Sequence, residues 1–176
     1  MSKSKRERPP QDPAAIMQFA KFFMAAEDHL RNYTDPQTMQ PPREFVAPAA
    51  VLGAFTCELM LKCIITLEGR PFAAEHNLYD LFSAISEPRR RRLIELWNEQ
   101  GRPSLENLPP ELKHLPVDLE PALKHCGGTF QLMRYGFEGK FQAWYLSYLP
   151  QVLRYAIAEM TGRLLDAQGR PTGPPR

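Results

Sequence analysis

The sequence has little of what several functional classes require. It has three cysteines and no Cys-x-x-Cys pair, which argues against a disulfide framework, a zinc ribbon or a dithiol redox site. Its formal net charge is only +2, too small to indicate nucleic-acid binding from the total. We therefore expect Cys57, Cys63 and Cys126 to be reduced, buried side chains, as is usual in a cytoplasmic protein.

Membrane and export signals are also missing. The longest apolar stretch, residues 47–69, carries Glu58 and Lys62 near its centre, and two charges there argue against a membrane span. The basic segment 1–12 is not followed by an apolar region, so no signal peptide is predicted. Alternating strand patterns and internal repeats are absent as well, which excludes most β-rich folds.

Helical periodicity is what the sequence does contain. Apolar residues recur at spacings of three and four, and Pro, Gly and Asn separate the segments. The pattern predicts an all-α, up-and-down bundle of about five helices in a single domain, residues 13–165. This predicted domain lies between a disordered basic tail, 1–12, and a disordered Pro/Gly-rich tail, 166–176. The main predicted helices are 13–32, 47–69, a short one after Asn77, 89–100, a weakened one over 118–133, and 147–165.

The stretch 47–69 is apolar on almost every side, so it belongs in the middle of the bundle. Glu58 and Lys62 lie one turn apart on one face of it. On a surface helix such a pair stabilises the helix by only about 0.3 kcal/mol. The apolar surroundings favour a partly buried polar pocket instead.

Three short motifs occur in a characteristic order, and together they resemble the HEPN superfamily. They are Glu58-Leu59-Met60-Leu61-Lys62 followed by Gly69, then His76-Asn77-Leu78-Tyr79-Asp80-Leu81, then Arg134-Tyr135-Gly136-Phe137-Glu138. The resemblance implies a small helical bundle, often a homodimer, from prokaryotic toxin–antitoxin or anti-phage defence systems. It also implies RNA or a nucleotide as ligand, an antitoxin-type protein partner, and metal-independent ribonuclease activity without a cofactor.

The chain departs from that family at its catalytic signature. Many members carry Arg and, a few residues later, His near the start of the last helix, whereas the last histidine here is His125, before Arg134. A formal match, Arg70 followed by His76, lies instead in the loop after the central helix. Such a spacing arises by chance in a sequence with this many arginines, so the match alone decides nothing.

The predicted site gathers residues from all three motifs. His76 is the candidate acid or base, because imidazole titrates near neutral pH, and Arg134 is the candidate phosphate ligand through its planar guanidinium. Glu58 or Glu138 orients one of them. The full set is catalytic His76, Arg134 and Glu58, with binding residues Lys62, Glu138, Tyr135 and Arg70.

Other interpretations of the same residues stay open. They can form a structural ion-pair network that holds helices together. The protein can be a non-catalytic binding or assembly module that retains the fold, or it can hold a small ligand beneath the central helix. The basic run 89–92 reads mainly as a solvated helix face, with an anionic partner as the alternative. The Glu111-x-x-His114 spacing of a di-iron bundle occurs once, which is not enough for a metal site.

Overall fold

The computed structural model describes residues 11–36, 38–40, 42–72, 75–106, 108, 110–134 and 144–162, with Arg134 described by its backbone. No strand occurs within these ranges, so the predicted all-α bundle is confirmed. The α-helices are α1 (Pro13–Asn32), α2 (Val46–Leu67), α3 (Leu78–Ala84), α4 (Glu87–Leu96), α5 (Leu119–Cys126), α6 (Thr129–Arg134) and α7 (Leu149–Thr161).

Helix α2 is the centre of the bundle, as its apolar composition predicts. It packs against α1, α3, α6 and α7. Most of its side chains are buried, including Glu58 and Lys62, and the free cysteines Cys57 and Cys63 are buried on it too. A helix covered on so many sides needs an apolar surface all round, which is what residues 47–67 supply.

The helix ends follow local signals. The side chain of Asp12 accepts a hydrogen bond from the amide of Ala14 and caps α1. The side chain of Asn77 caps α3 in the same way, accepting from the amide of Tyr79. Gly69 has a φ of +68°, the left-handed conformation that ends α2 at little cost. All three ends are where the sequence predicts them.

Two predicted helices differ from the structure. The stretch 118–133 is two short helices, α5 and α6, because Gly127 and Gly128 interrupt it. The predicted helix 89–100 is α4, which begins at Glu87 and continues as a π-helical turn, Trp97–Gly101, where Gly101 has a φ of −86°. Glycine is needed there because a Cβ would overlap the ring of Trp97.

The predicted tails, 1–12 and 166–176, lie almost wholly outside the described residues, as does the end of the last predicted helix. Within the described part, one helical segment, Arg43–Leu67, is long and apolar enough to cross a membrane by length and composition. Its most apolar window is 67% buried in the bundle, a profile that the core helix of a soluble protein shares.

Candidate functional site

Glu58 is the centre of a buried polar cluster on α2. Its side chain is only 1% exposed, and its Oε1 accepts a hydrogen bond from Lys62 Nζ at 2.6 Å. The same Oε1 lies 2.9 Å from Nδ1 of His76. One carboxylate oxygen therefore holds an ammonium group and an imidazole together, and the pair predicted from α2 is buried as expected.

The fold brings His76 to Glu58 by reversing the chain after α2. Gly69 ends the helix, and the loop returns so that His76 immediately precedes the Asn77 cap of α3. The amide of Leu78, at the first turn of α3, donates to the carbonyl of Gly127 at the end of α5. These backbone contacts fix the start of α3, and with it the imidazole beside α2.

The imidazole is presented to solvent while its carboxylate partner is not. The side chain of His76 is 39% exposed. Because an ionised carboxylate only accepts hydrogen bonds, the geometry assigns a proton to Nδ1. Nε2 of the neutral ring is then an acceptor. A carboxylate that orients an imidazole in this way is a common arrangement for general acid–base chemistry.

Glu75 is a part of the cluster that sequence reasoning missed. Its Oε1 accepts the backbone amides of His76 at 2.8 Å and Asn77 at 2.7 Å. These two hydrogen bonds, the Asn77 one first, lower the pKa of Glu75, and the nearby charges of His76 and Lys62 act in the same direction. The available signal was an acidic residue directly before a capped helix start.

Aromatic rings line the cluster, and two of them, Phe72 and Phe130, were not predicted. Lys62 Nζ lies 5.5 Å from the ring centre of Phe72. The His76 ring lies 6.0 Å from that of Phe130 on α6, which in turn stacks on Phe55 of α2 at 4.6 Å. The imidazole therefore has the ring of Phe130 near one side and the Glu58 carboxylate at its Nδ1.

The remaining predicted site residues divide into two groups. Arg70 pairs with Glu68, with 3.7 Å between Nη1 and Oε2, and contributes no described contact to the Glu58 cluster. Arg134 is the last residue of α6, one helical turn beyond Phe130, and its side chain lies outside the described part. Tyr135 and Glu138 also lie outside the described residues.

Two further features of the site concern the hydrogen bonding of Glu58 and the groups that could bind a metal ion. One oxygen of Glu58, Oε2, is buried without a hydrogen-bond partner among the described atoms, which marks the cluster as polar but incompletely satisfied. Within the same described ranges, no group of three His, Cys, Asp or Glu side chains is arranged to hold a metal ion.

Two of the four arginines in the basic run 89–92 pair with acidic neighbours. Arg91 pairs with Glu87 at 2.8 Å. Arg92 pairs with Glu95 on its own helix and with Glu159 on α7, at 3.1 and 2.8 Å. These ion pairs match the solvated-face interpretation of the run.

Comparison of the chain with protein-family models, with curated proteins and with solved structures finds no match to any of them.

Proposed function

We propose that this chain is a HEPN-like helical protein that binds RNA and cleaves it without a metal ion, using His76 as the acid–base group. The observation that carries the proposal is the contact between a buried carboxylate and a half-exposed imidazole, Glu58 Oε1 to His76 Nδ1 at 2.9 Å. The order of the three sequence motifs and the all-α bundle support the family assignment.

The reaction needs only groups that the site and the substrate supply. Nε2 of His76 removes the proton of a ribose 2′-hydroxyl, and the resulting oxygen attacks the adjacent phosphorus. The bond from phosphorus to the 5′-oxygen breaks, and that oxygen takes a proton from the imidazolium or from water. The products are a 2′,3′-cyclic phosphate and a 5′-hydroxyl.

Glu58 stabilises the imidazolium that forms in this step, and it keeps the proton on Nδ1 so that Nε2 is the base. Lys62 holds Glu58 in place and adds positive charge near the phosphate. Arg134 remains the proposed phosphate ligand.

A second candidate is a non-catalytic binding or assembly module that keeps the same fold. It is favoured by the depth of the Glu58–Lys62 pair, since Lys62 is only 9% exposed and a structural ion pair would be equally enclosed. Either function fits a cytoplasmic protein of a defence or toxin–antitoxin system with an antitoxin-type partner, and we propose that setting on the resemblance alone.

The test is digestion of a single-stranded RNA by the purified protein in EDTA, beside the same sequence carrying 2′-deoxyribose at every position. The enzyme proposal predicts cleavage of the RNA only, with cyclic phosphate ends. Cleavage of the 2′-deoxyribose substrate as well as the RNA rejects the 2′-hydroxyl mechanism. Binding of RNA without cleavage supports the module instead.

A further inference from the structure

Helix α1 carries an exposed apolar stripe beside the face that packs on the bundle. Phe19 and Phe22 are 59% and 58% exposed, and their rings contact each other edge to face at 6.1 Å. Ala15 and Ala26, one step further along on either side, are exposed as well. Spacings of four, three and four residues place these four side chains, which we call the α1 stripe, on one face of the helix.

The α1 stripe differs from the face of α1 that forms the core. The core face is made by residues such as Ala20 and Glu27, which are buried, while Phe23 packs on Phe55 of α2. Two adjacent phenylalanines with more than half of their surface in water are costly to leave uncovered. No element in the described part of the chain covers them.

The order of residues in the α1 stripe is the same in both directions. Reversing the helix about a point between residues 20 and 21 places Phe19 on Phe22 and Ala15 on Ala26. The next pair outward is Asp12 with His29, both exposed, which sets a carboxylate acceptor against an imidazole donor. This reversal is the relation that a two-fold axis perpendicular to a helix produces in a homodimer.

We propose that α1 pairs with α1 of a second copy of this chain, antiparallel, about a two-fold axis between residues 20 and 21. The four phenylalanines form the centre of the contact. The alanines on both sides let the helix backbones approach, and the Asp12–His29 pairs close the two ends. A parallel pair would instead set Asp12 against Asp12 and His29 against His29.

The mass in solution tests the association. Sedimentation equilibrium of the full chain should show a concentration-dependent dimer. Phe19→Glu should weaken it at least about 100-fold, because a central aromatic is lost twice and each new carboxylate is buried against Phe22 of the second copy. Gln18→Glu adds the same charge on an exposed neighbour outside the α1 stripe and should leave the dimer intact. Circular dichroism confirms that each variant is folded, which is expected for exposed positions.

The polar ends give a matched pair of variants. His29→Glu sets two carboxylates together at each end and should weaken the dimer by about tenfold. Asn32→Glu makes the same charge change in the same last turn of α1, outside the α1 stripe, and should have little effect. Equal effects of the two variants contradict the proposed pairing.

Cross-linking tests the orientation. The native cysteines are buried, so Ala15→Cys and Ala26→Cys introduce reactive thiols. A short thiol cross-linker should join a 15-variant to a 26-variant and should not join two 15-variants. Cross-links between two 15-variants indicate a parallel pair and overturn the proposal, as does a monomer at all concentrations or a dimer that Phe19→Glu leaves unchanged.

Discussion

The imidazole of His76 and the carboxylate of Glu58 lie 18 residues apart in sequence, with 2.9 Å between Nδ1 and Oε1. The first residue is 39% exposed in its side chain and the second is 1% exposed. A partly exposed imidazole is therefore held by a carboxylate inside the bundle. That carboxylate has a second partner, Lys62, so changes at the three positions should separate the stability of the cluster from the proposed activity.

Removing the buried carboxylate of Glu58 should lower the free energy of unfolding. Glu58→Ala leaves the Lys62 ammonium buried without its partner, and we expect a loss of about 3–5 kcal/mol in the free energy of unfolding. Urea denaturation followed by circular dichroism measures it. The double variant Glu58→Leu with Lys62→Met removes both charges, and its free energy of unfolding should be about 2–4 kcal/mol higher than that of Glu58→Ala. If the double variant is the less stable one, the pair does not behave as a buried ion pair.

The negative charge of Glu58 should matter more for RNA cleavage than for packing. Glu58→Gln keeps the shape of the side chain but removes the charge that favours the imidazolium. Should RNA cleavage be found, we expect the rate to fall about 10²-fold or more, while helix content stays at the wild-type level. Lys62→Met removes the other partner of Glu58 but leaves the Glu58–His76 contact in place, so the rate should fall less than in Glu58→Gln. Cleavage by Glu58→Gln at the wild-type rate would remove Glu58 from the mechanism.

Burial of the thiols predicts how stability responds to alkaline pH. Burial raises the pKa of Cys63 to about 11 and that of Cys126 to about 11, from 9.0 in the unfolded chain. Because the folded state holds these protons more tightly, the stabilisation is complete below pH 9 and is lost as the pH rises through 11. The free energy of unfolding should fall across that window, and Cys63→Ala should reduce the slope. An equal slope in the variant contradicts the assignment.

The same burial predicts slow reaction with thiol reagents. At pH 8 the thiols of Cys57, Cys63 and Cys126 are protonated and enclosed, so a colourimetric disulfide reagent should modify them only after denaturation. Reaction of the native protein within minutes would show that one of the thiols reaches solvent.

A small residue on α2 is needed where the helix meets its neighbours. A Cβ on Gly53 would lie 2.5 Å from Oε1 of Glu27 and 2.9 Å from Nε1 of Trp144. Gly53→Ala should therefore destabilise the fold by about 1–3 kcal/mol, although alanine is the better helix former. Thermal unfolding measures the loss. Combining it with Glu27→Ala, which removes the nearest atoms, should cost less than the sum of the two single changes.

Signals that act within a few residues could be predicted from the sequence. The caps at Asp12 and Asn77 and the stop at Gly69 depend on chemistry inside one turn of chain, and the apolar surface of α2 is a property of consecutive residues. The burial of the Glu58–Lys62 pair followed from that surface. The positions of Glu75 and Phe130 beside the cluster could not be predicted in this way. Each depends on how a loop or a distant helix packs against α2, and no local pattern encodes that packing.

The comparison of wild type with His76→Ala in metal-free RNA digestion tests the central claim most directly. His114→Ala is the matched control, since His114 is an exposed imidazole outside the cluster. The account predicts that wild type and His114→Ala cleave alike and that His76→Ala is slower by about 10²–10⁴-fold while still folded. Cleavage by His76→Ala at the wild-type rate, or cleavage by none of the three proteins, would contradict it.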